Sequence, residues 1–191
     1  STLDRSSAAS DVYKRQVAHR VASDAELICW VDEQDNLLGD LVRSDLRQRG
    51  LIGRCTFIFL FNSAGELCVH RRTLSKALYP GFWDTAAGGM VAAGETYAVS
   101  AARELEEELG VGGVELVEHD HFYFEEEGSR LWCKSYSAVW DGPLRLQPEE
   151  VMEARFLPIE TVLQEAQQKP YCPDAQEGLR RYLCLLYTSD A

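Results

Sequence analysis

The chain has 191 residues, with 19 Lys and Arg against 31 Asp and Glu, for a formal net charge of −12. That balance argues against a nucleic-acid polymer as the main partner, because phosphate neutralisation needs a basic surface, but leaves room for a local basic pocket. Hydrophobic residues make up 46% and charged residues 26%, a composition that can bury a core. No apolar run approaches the ~18 residues of a membrane span, and no charged-then-apolar leader opens the chain. The expectation is a cytoplasmic protein without a membrane partner. Cys29, Cys55, Cys68, Cys133, Cys172 and Cys184 are scattered without a C-x-x-C pair, which fits reduced thiols better than disulfides or zinc.

In chain order, residues 1–16 are polar and without periodicity, and 184–191 read CLLYTSDA. The first is expected to be a non-native or a disordered segment and the second a non-native tail, flanking a single domain over 17–183. Leu27–Val31 and Leu37–Val42 around a polar turn predict a hairpin. A brief helix is expected over Ser44–Arg49. Cys55–Phe61 is continuously apolar and reads as a buried strand, with a turn at Asn62–Gly65 and a return strand over Glu66–His70. Trp83–Ala87 is expected to be a short strand, and Thr96–Leu109 a helix ending at Gly110. Val114–Phe124 and Leu131–Val139 read as paired strands, with His119 and His121 on one side of the first. A strand over Ala154–Leu157 and helices from Pro158 to Gln168 and Pro173 to Leu183 complete an α+β domain with a mixed sheet.

The chemistry is concentrated between Gly89 and Val111, which read G-x5-E-x7-R-E-U-x-E-E-x-G-U with U aliphatic. Chance would produce this pattern in such a chain about once in 10^7. Glu104, Glu107 and Glu108 lie at i, i+3 and i+4 and share one helix face. Ala98, Ala101, Ala102, Leu105 and Leu109 form the neighbouring apolar stripe, so the acids sit at the rim of the buried face. Clustered like charges are mutually destabilising, and hard carboxylate oxygens suit Mg²⁺ or Mn²⁺. Arg103 can clamp Glu95 or Glu107, and Gly88 and Gly89 allow close approach of backbone. An isolated acidic triplet is usually a solvated helix face. The glycines and Arg103 at fixed offsets reverse that reading.

This pattern resembles the Nudix hydrolases, with every fixed position filled. The resemblance implies the Nudix fold, a mixed sheet flanked by helices in an α/β/α sandwich. It implies Glu104, Glu107 and Glu108 as metal ligands, with the Gly88 carbonyl as a further one. Glu104 is a candidate for the base that activates water, and Gly89, Glu95 and Gly110 are structural positions of the motif.

A second resemblance extends further, and together the two cover about Cys55–Pro158. Arg71–Lys76, Tyr79–Trp83 and Glu149–Val151 are similar to isopentenyl-diphosphate isomerase, a relative with the same fold. It implies that Arg72 and Lys76 grip a diphosphate; ordinary surface charge is the plain alternative. The isomerase's catalytic cysteine and a metal-binding histidine fall on Gly88 and Met90. Two further acids fall on Ser129 and Leu131. These residues cannot move protons at an alkene.

Glu150, more than Glu149, is a candidate acid near the metals. Glu125–Glu127 reads as a charged hairpin tip, His119 and His121 as packing or surface, and Tyr79, Phe82, Trp83 and Trp132 as aromatic core before substrate wall. The reading is therefore Mg²⁺- or Mn²⁺-dependent hydrolysis of a small-molecule X-diphosphate by water attack on phosphorus. Glu104, Glu107, Glu108, Arg103 and Glu150 would carry it. The alternatives are an isomerase-like enzyme and a ligand-sensing domain without turnover. A homodimer is left open.

Overall fold

A computed structural model describes residues 2–126 and 128–189, without the side chains of residues 2–6. Ser1, Glu127, Asp190 and Ala191 lie outside the described residues. So do one acid of the expected hairpin tip and the last two positions of the expected tail.

The elements run α1 (Thr2–Asp24), β1 (Leu27–Val31), β2 (Leu37–Val42), α2 (Arg43–Gln48), β3 (Ile52–Phe61), β4 (Leu67–Arg72), β5 (Trp83–Asp84), α3 (Tyr97–Leu109), β6 (Val117–Glu126), β7 (Ser129–Val139), β8 (Val151–Leu157), α4 (Ile159–Glu165) and α5 (Pro173–Ser189). The strands form one mixed sheet. β3 is central, antiparallel to β1 and β4 and parallel to β7 along Gly53–Phe61, while β6 pairs with β7 and β8 with β4.

Side chains alternate across β3 because strand residues point to opposite faces. Cys55, Phe57 and Phe59 pack with Leu179 and Tyr182 of α5, and Ile58 and Leu60 pack with Ala101, Leu105 and Leu109 of α3. The expected α/β/α sandwich follows from this two-sided burial, which also explains why Cys55–Phe61 lacks polar alternation.

Three expectations differ from the structure. Residues 2–16 are helical and continuous with 17–24 in α1, rather than disordered. The stretch has no Gly or Pro to break a helix, but its weak apolar periodicity hides it from a pattern reading. The stretch 184–189 likewise continues α5. β5 is only Trp83–Asp84, after which Ala87 and Met90 make single bridges to Ile58 and Cys55 of β3. Finally, a register shift between Glu118 and His121 breaks the alternation of β6. His119 stacks edge-on to Tyr182 of α5, while His121 reaches Tyr97 of α3, so the two histidines face opposite sides of the sheet.

Candidate active site

Helix α3 begins at Thr96, whose hydroxyl accepts the Val99 amide at 3.2 Å, and ends at Gly110 in the left-handed region at φ 70°. A Cβ at Gly110 would also come within 2.6 Å of the Arg145 Cβ. The helix is thereby fixed at both ends, and its apolar stripe is buried against β3 and β7. The acids are distributed around the edge of that stripe. Glu108 is 8% exposed, Glu104 is largely buried and Glu107 is exposed.

Arg103 organises the outer part of the cluster. Its Nε and one terminal nitrogen donate to both Glu95 carboxylate oxygens at 2.8 and 3.0 Å. The other terminal nitrogen reaches Glu104 and Glu107, each at 3.1 Å. A bidentate pair of this kind fixes direction as well as charge. It ties the loop bearing Glu95 to the helix and draws Glu107 towards the rim. Among the described residues, no three Asp, Glu, His or Cys side chains converge into a formed metal cage.

Opposite the inner acids lies the segment 86–92. Gly88 has φ 144°, and a Cβ there would fall 1.9 Å from the Thr56 carbonyl oxygen, so only glycine fits. At Gly89 a Cβ would come within 2.8 Å of Glu104 Oε1. The Gly88 amide donates to Glu108 Oε2 at 3.4 Å. The Ala87 and Gly89 carbonyls accept from Ile58 and Thr56 of β3, but the Gly88 carbonyl accepts no hydrogen bond among the described residues.

A cleft of about 880 Å³ opens beside this corner. Gly88, Glu104, Glu107, Glu108, Arg72, Lys76 and Glu150 all line it, so the structure brings the expected catalytic and binding residues to one cavity. Arg72 donates to the Asp84 carboxylate at 3.4 Å and to the Leu78 carbonyl at 3.1 Å. The Lys76 ammonium donates to Glu150, whose other oxygen meets His19 Nε2 of α1 at 2.7 Å. Burial works against the Glu150 charge, but the His19 and Lys76 contacts outweigh it and hold its carboxyl at about 2.

The inner acids behave in the opposite way. Burial, with Glu107 adding to it and Arg103 opposing it, pushes Glu104 up to about 7. Burial, then Glu104 and Glu150, push Glu108 well above the carboxylate range. His70 Nε2 stands 4.0 Å from Glu108, but burial lowers the His70 pKa and keeps it a weak counter-charge. Two buried carboxylates beside a carbonyl oxygen that accepts no hydrogen bond make an all-oxygen donor set. That set fits Mg²⁺ or Mn²⁺, with Glu104, Glu108 and the Gly88 carbonyl as the residues that would hold it.

The NUDIX domain model matches residues 52–181. A Nudix hydrolase of Pseudomonas aeruginosa is 68% identical over 167 residues, covering 87% of this chain and 99% of that protein. The chain belongs to the Nudix family. The Nudix hydrolase YfcD of Escherichia coli is 37% identical over 157 residues, covering 81% of this chain and 86% of that protein. A crystal structure of a Deinococcus radiodurans protein superposes with a TM-score of 0.70 at 27% identity, covering 82% of this chain and 99% of that one. The chain is thus a Nudix hydrolase, of a family that acts on pyrophosphate bonds and generally uses a divalent metal.

Around the Nudix helix, several residues have roles that local spacing does not announce. His19 reaches Glu150 across 131 positions, and Asp84 and Asp174 enter the cleft from β5 and α5. Asp35 holds Arg54 at 2.7 Å, His121 at 2.8 Å and the Tyr97 hydroxyl at 2.9 Å, bracing the start of the Nudix helix. Of the aromatic candidates, Tyr79 lines the cleft. Trp83 stacks on Tyr171, Trp132 packs on His121 and Tyr123, and Phe82 packs on Tyr79. Among the described residues, no helix is long and apolar enough to cross a membrane.

Proposed function

We propose that this Nudix hydrolase cleaves the diphosphate linkage of a small-molecule X-diphosphate, with Mg²⁺ or Mn²⁺ held by Glu104, Glu108 and the Gly88 carbonyl. One observation carries the reading: two buried acids on one face of α3 meet Gly88 and Gly89 at the mouth of a cleft that also contains Arg72 and Lys76. When bound, the cation neutralises charge on the diphosphate oxygens. Arg72 and Lys76 orient the diphosphate from the opposite wall. Glu104, in the same corner of the cleft, is the residue that would take a proton from the attacking water. Arg103 holds Glu104 in place, and Glu107 would be a further residue to hold the cation. Glu150 keeps Lys76 directed into the cleft.

The isomerase-like alternative is disfavoured by Gly88 and Met90, which stand where the resemblance implies a cysteine and a histidine. A sensing domain without turnover is disfavoured by the complete acid set. The test is to incubate the protein with isopentenyl diphosphate and with a panel of other diphosphates, with and without Mg²⁺. Metal-dependent phosphate release from a member of the panel, with no dimethylallyl isomer by NMR, is the expected result. Isomer formation above a heat-killed control moves the protein to the isomerase reading, and no release from any substrate moves it to the sensing one.

A further inference from the structure

The same cleft is lined by the apolar side chains of Cys55, Phe57, Ala86 and Leu131, and by Asp174 from the first turn of α5. The Asp174 carboxylate accepts the Ala175 amide at 2.9 Å. No Lys, Arg or His side chain forms an ion pair with it among the described residues. Its neighbour Asp84 is matched differently, by Arg72 at 3.4 Å and the Ala86 amide at 3.3 Å. Arg72 in turn keeps a buried Nε that donates to nothing. Asp174, a carboxylate without an ion pair among the described residues, and Arg72 therefore line the same cavity. Burial, and then the charge of Asp84, push the Asp174 carboxyl up to about 6.

We propose that Asp174 is a specificity-determining residue that accepts an N–H or O–H donor on the organic group X. This rests on the hydrolase reading and narrows it: X carries hydrogen-bond donors at the part that meets Asp174, and an all-hydrocarbon X is rejected. The physical reason is that a hydrocarbon chain sealed against Asp174 strips its water and returns nothing, whereas a donor replaces that water. A site built to bond a polar group discriminates strongly against analogues that lack it.

The experiment compares the parent with Asp174→Leu and Asp174→Asn on adenosine diphosphate, uridine diphosphate, thiamine diphosphate and dimethylallyl diphosphate. Phosphate release is followed with Mg²⁺, and equilibrium binding by calorimetry with Ca²⁺ in its place. The parent should favour at least one donor-bearing diphosphate over the dimethylallyl compound by about 100-fold. Asp174→Leu should narrow that ratio to within about tenfold, chiefly through KM and Kd, with Asp174→Asn in between. If Asp174→Leu does not fold, the Asn variant decides. Equal or tighter binding of dimethylallyl diphosphate by the parent, no binding of any of the four, or a ratio unchanged by both substitutions overturns the assignment. Selective, Asp174-dependent binding without phosphate release would leave it standing and refute the hydrolase reading instead.

Discussion

The Gly88 amide and the Glu108 carboxylate meet at 3.4 Å, joining the loop that precedes α3 to the last turn of that helix. Nineteen positions of chain between them fold back so that a backbone corner and two buried acids share one cavity wall.

Gly88 and Gly89 should fail differently when replaced by alanine. At Gly88 the new Cβ meets backbone at 1.9 Å and the φ of 144° is itself strained, so Gly88→Ala should cost at least ~1–3 kcal/mol and lower Tm clearly. At Gly89 it meets only the flexible end of Glu104 at 2.8 Å. Gly89→Ala should therefore keep near-parental melting while displacing Glu104, with turnover down on the order of 100-fold. Thermal melts and steady-state kinetics on both variants check this; an inactive but fully stable Gly88→Ala contradicts it.

Arg103→Lys should be far from conservative. One ammonium cannot reproduce the paired contacts to Glu95 together with those to Glu104 and Glu107. Activity should fall about 10- to 100-fold, with weaker Mg²⁺ affinity. A Mg²⁺ titration that matches the parent would show that the clamp has no part in the metal site.

Replacing Arg72 or Lys76 with alanine should raise KM by at least about tenfold and flatten the salt dependence of binding, since a phosphate contact is removed. Lys76→Ala also leaves Glu150 with His19 as its remaining charged contact, so its melting point should fall more than that of an exposed lysine variant. Parental KM and kcat in both variants would remove the proposed diphosphate grip.

The His19–Glu150 contact gives α1 a pH-dependent anchor. Glu150 is held at about 2, below its ordinary 4.5, so its contribution is present above pH 4.5 and is lost as pH falls towards 2. Fully counted it amounts to about 3 kcal/mol at most. His19 is raised above its ordinary 6.5, so its contribution is present below 6.5 and is lost as pH rises through the elevated value. The melting-point deficit of His19→Gln relative to the parent should therefore be greatest between pH 4.5 and 6.5. A deficit that grows steadily towards alkaline pH would contradict the pairing.

The parts of this site that could be read from sequence are local ones. Arg103, Glu104, Glu107 and Glu108 sit on one helix, so their spacing alone puts them on a common face, and Gly110 marks the helix end by its backbone freedom. The strands of the core were visible because β3 is buried on both faces. What escaped depends on tertiary approach. Nothing near His19 points to Glu150, and Asp84 and Asp174 meet only because β5 and α5 close on the same cavity. The β6 bulge is equally silent, and one extra residue is enough to send His119 and His121 to opposite faces. Glu107 shows a subtler gap: periodicity places it with the other acids, but Arg103 draws its carboxylate to the rim.

The central claim, metal-dependent hydrolysis through the inner acids, is tested most directly by a Mg²⁺ titration of phosphate release for the parent and Glu108→Gln on one turned-over diphosphate. The substitution is nearly isosteric and removes an acid whose ionisation burial opposes, so the variant should melt at or above the parental temperature. Its turnover should fall by about 10²- to 10³-fold and its activity should need more Mg²⁺. Release that is independent of Mg²⁺, or a Glu108→Gln variant within a few-fold of the parent at saturating Mg²⁺, would contradict the account.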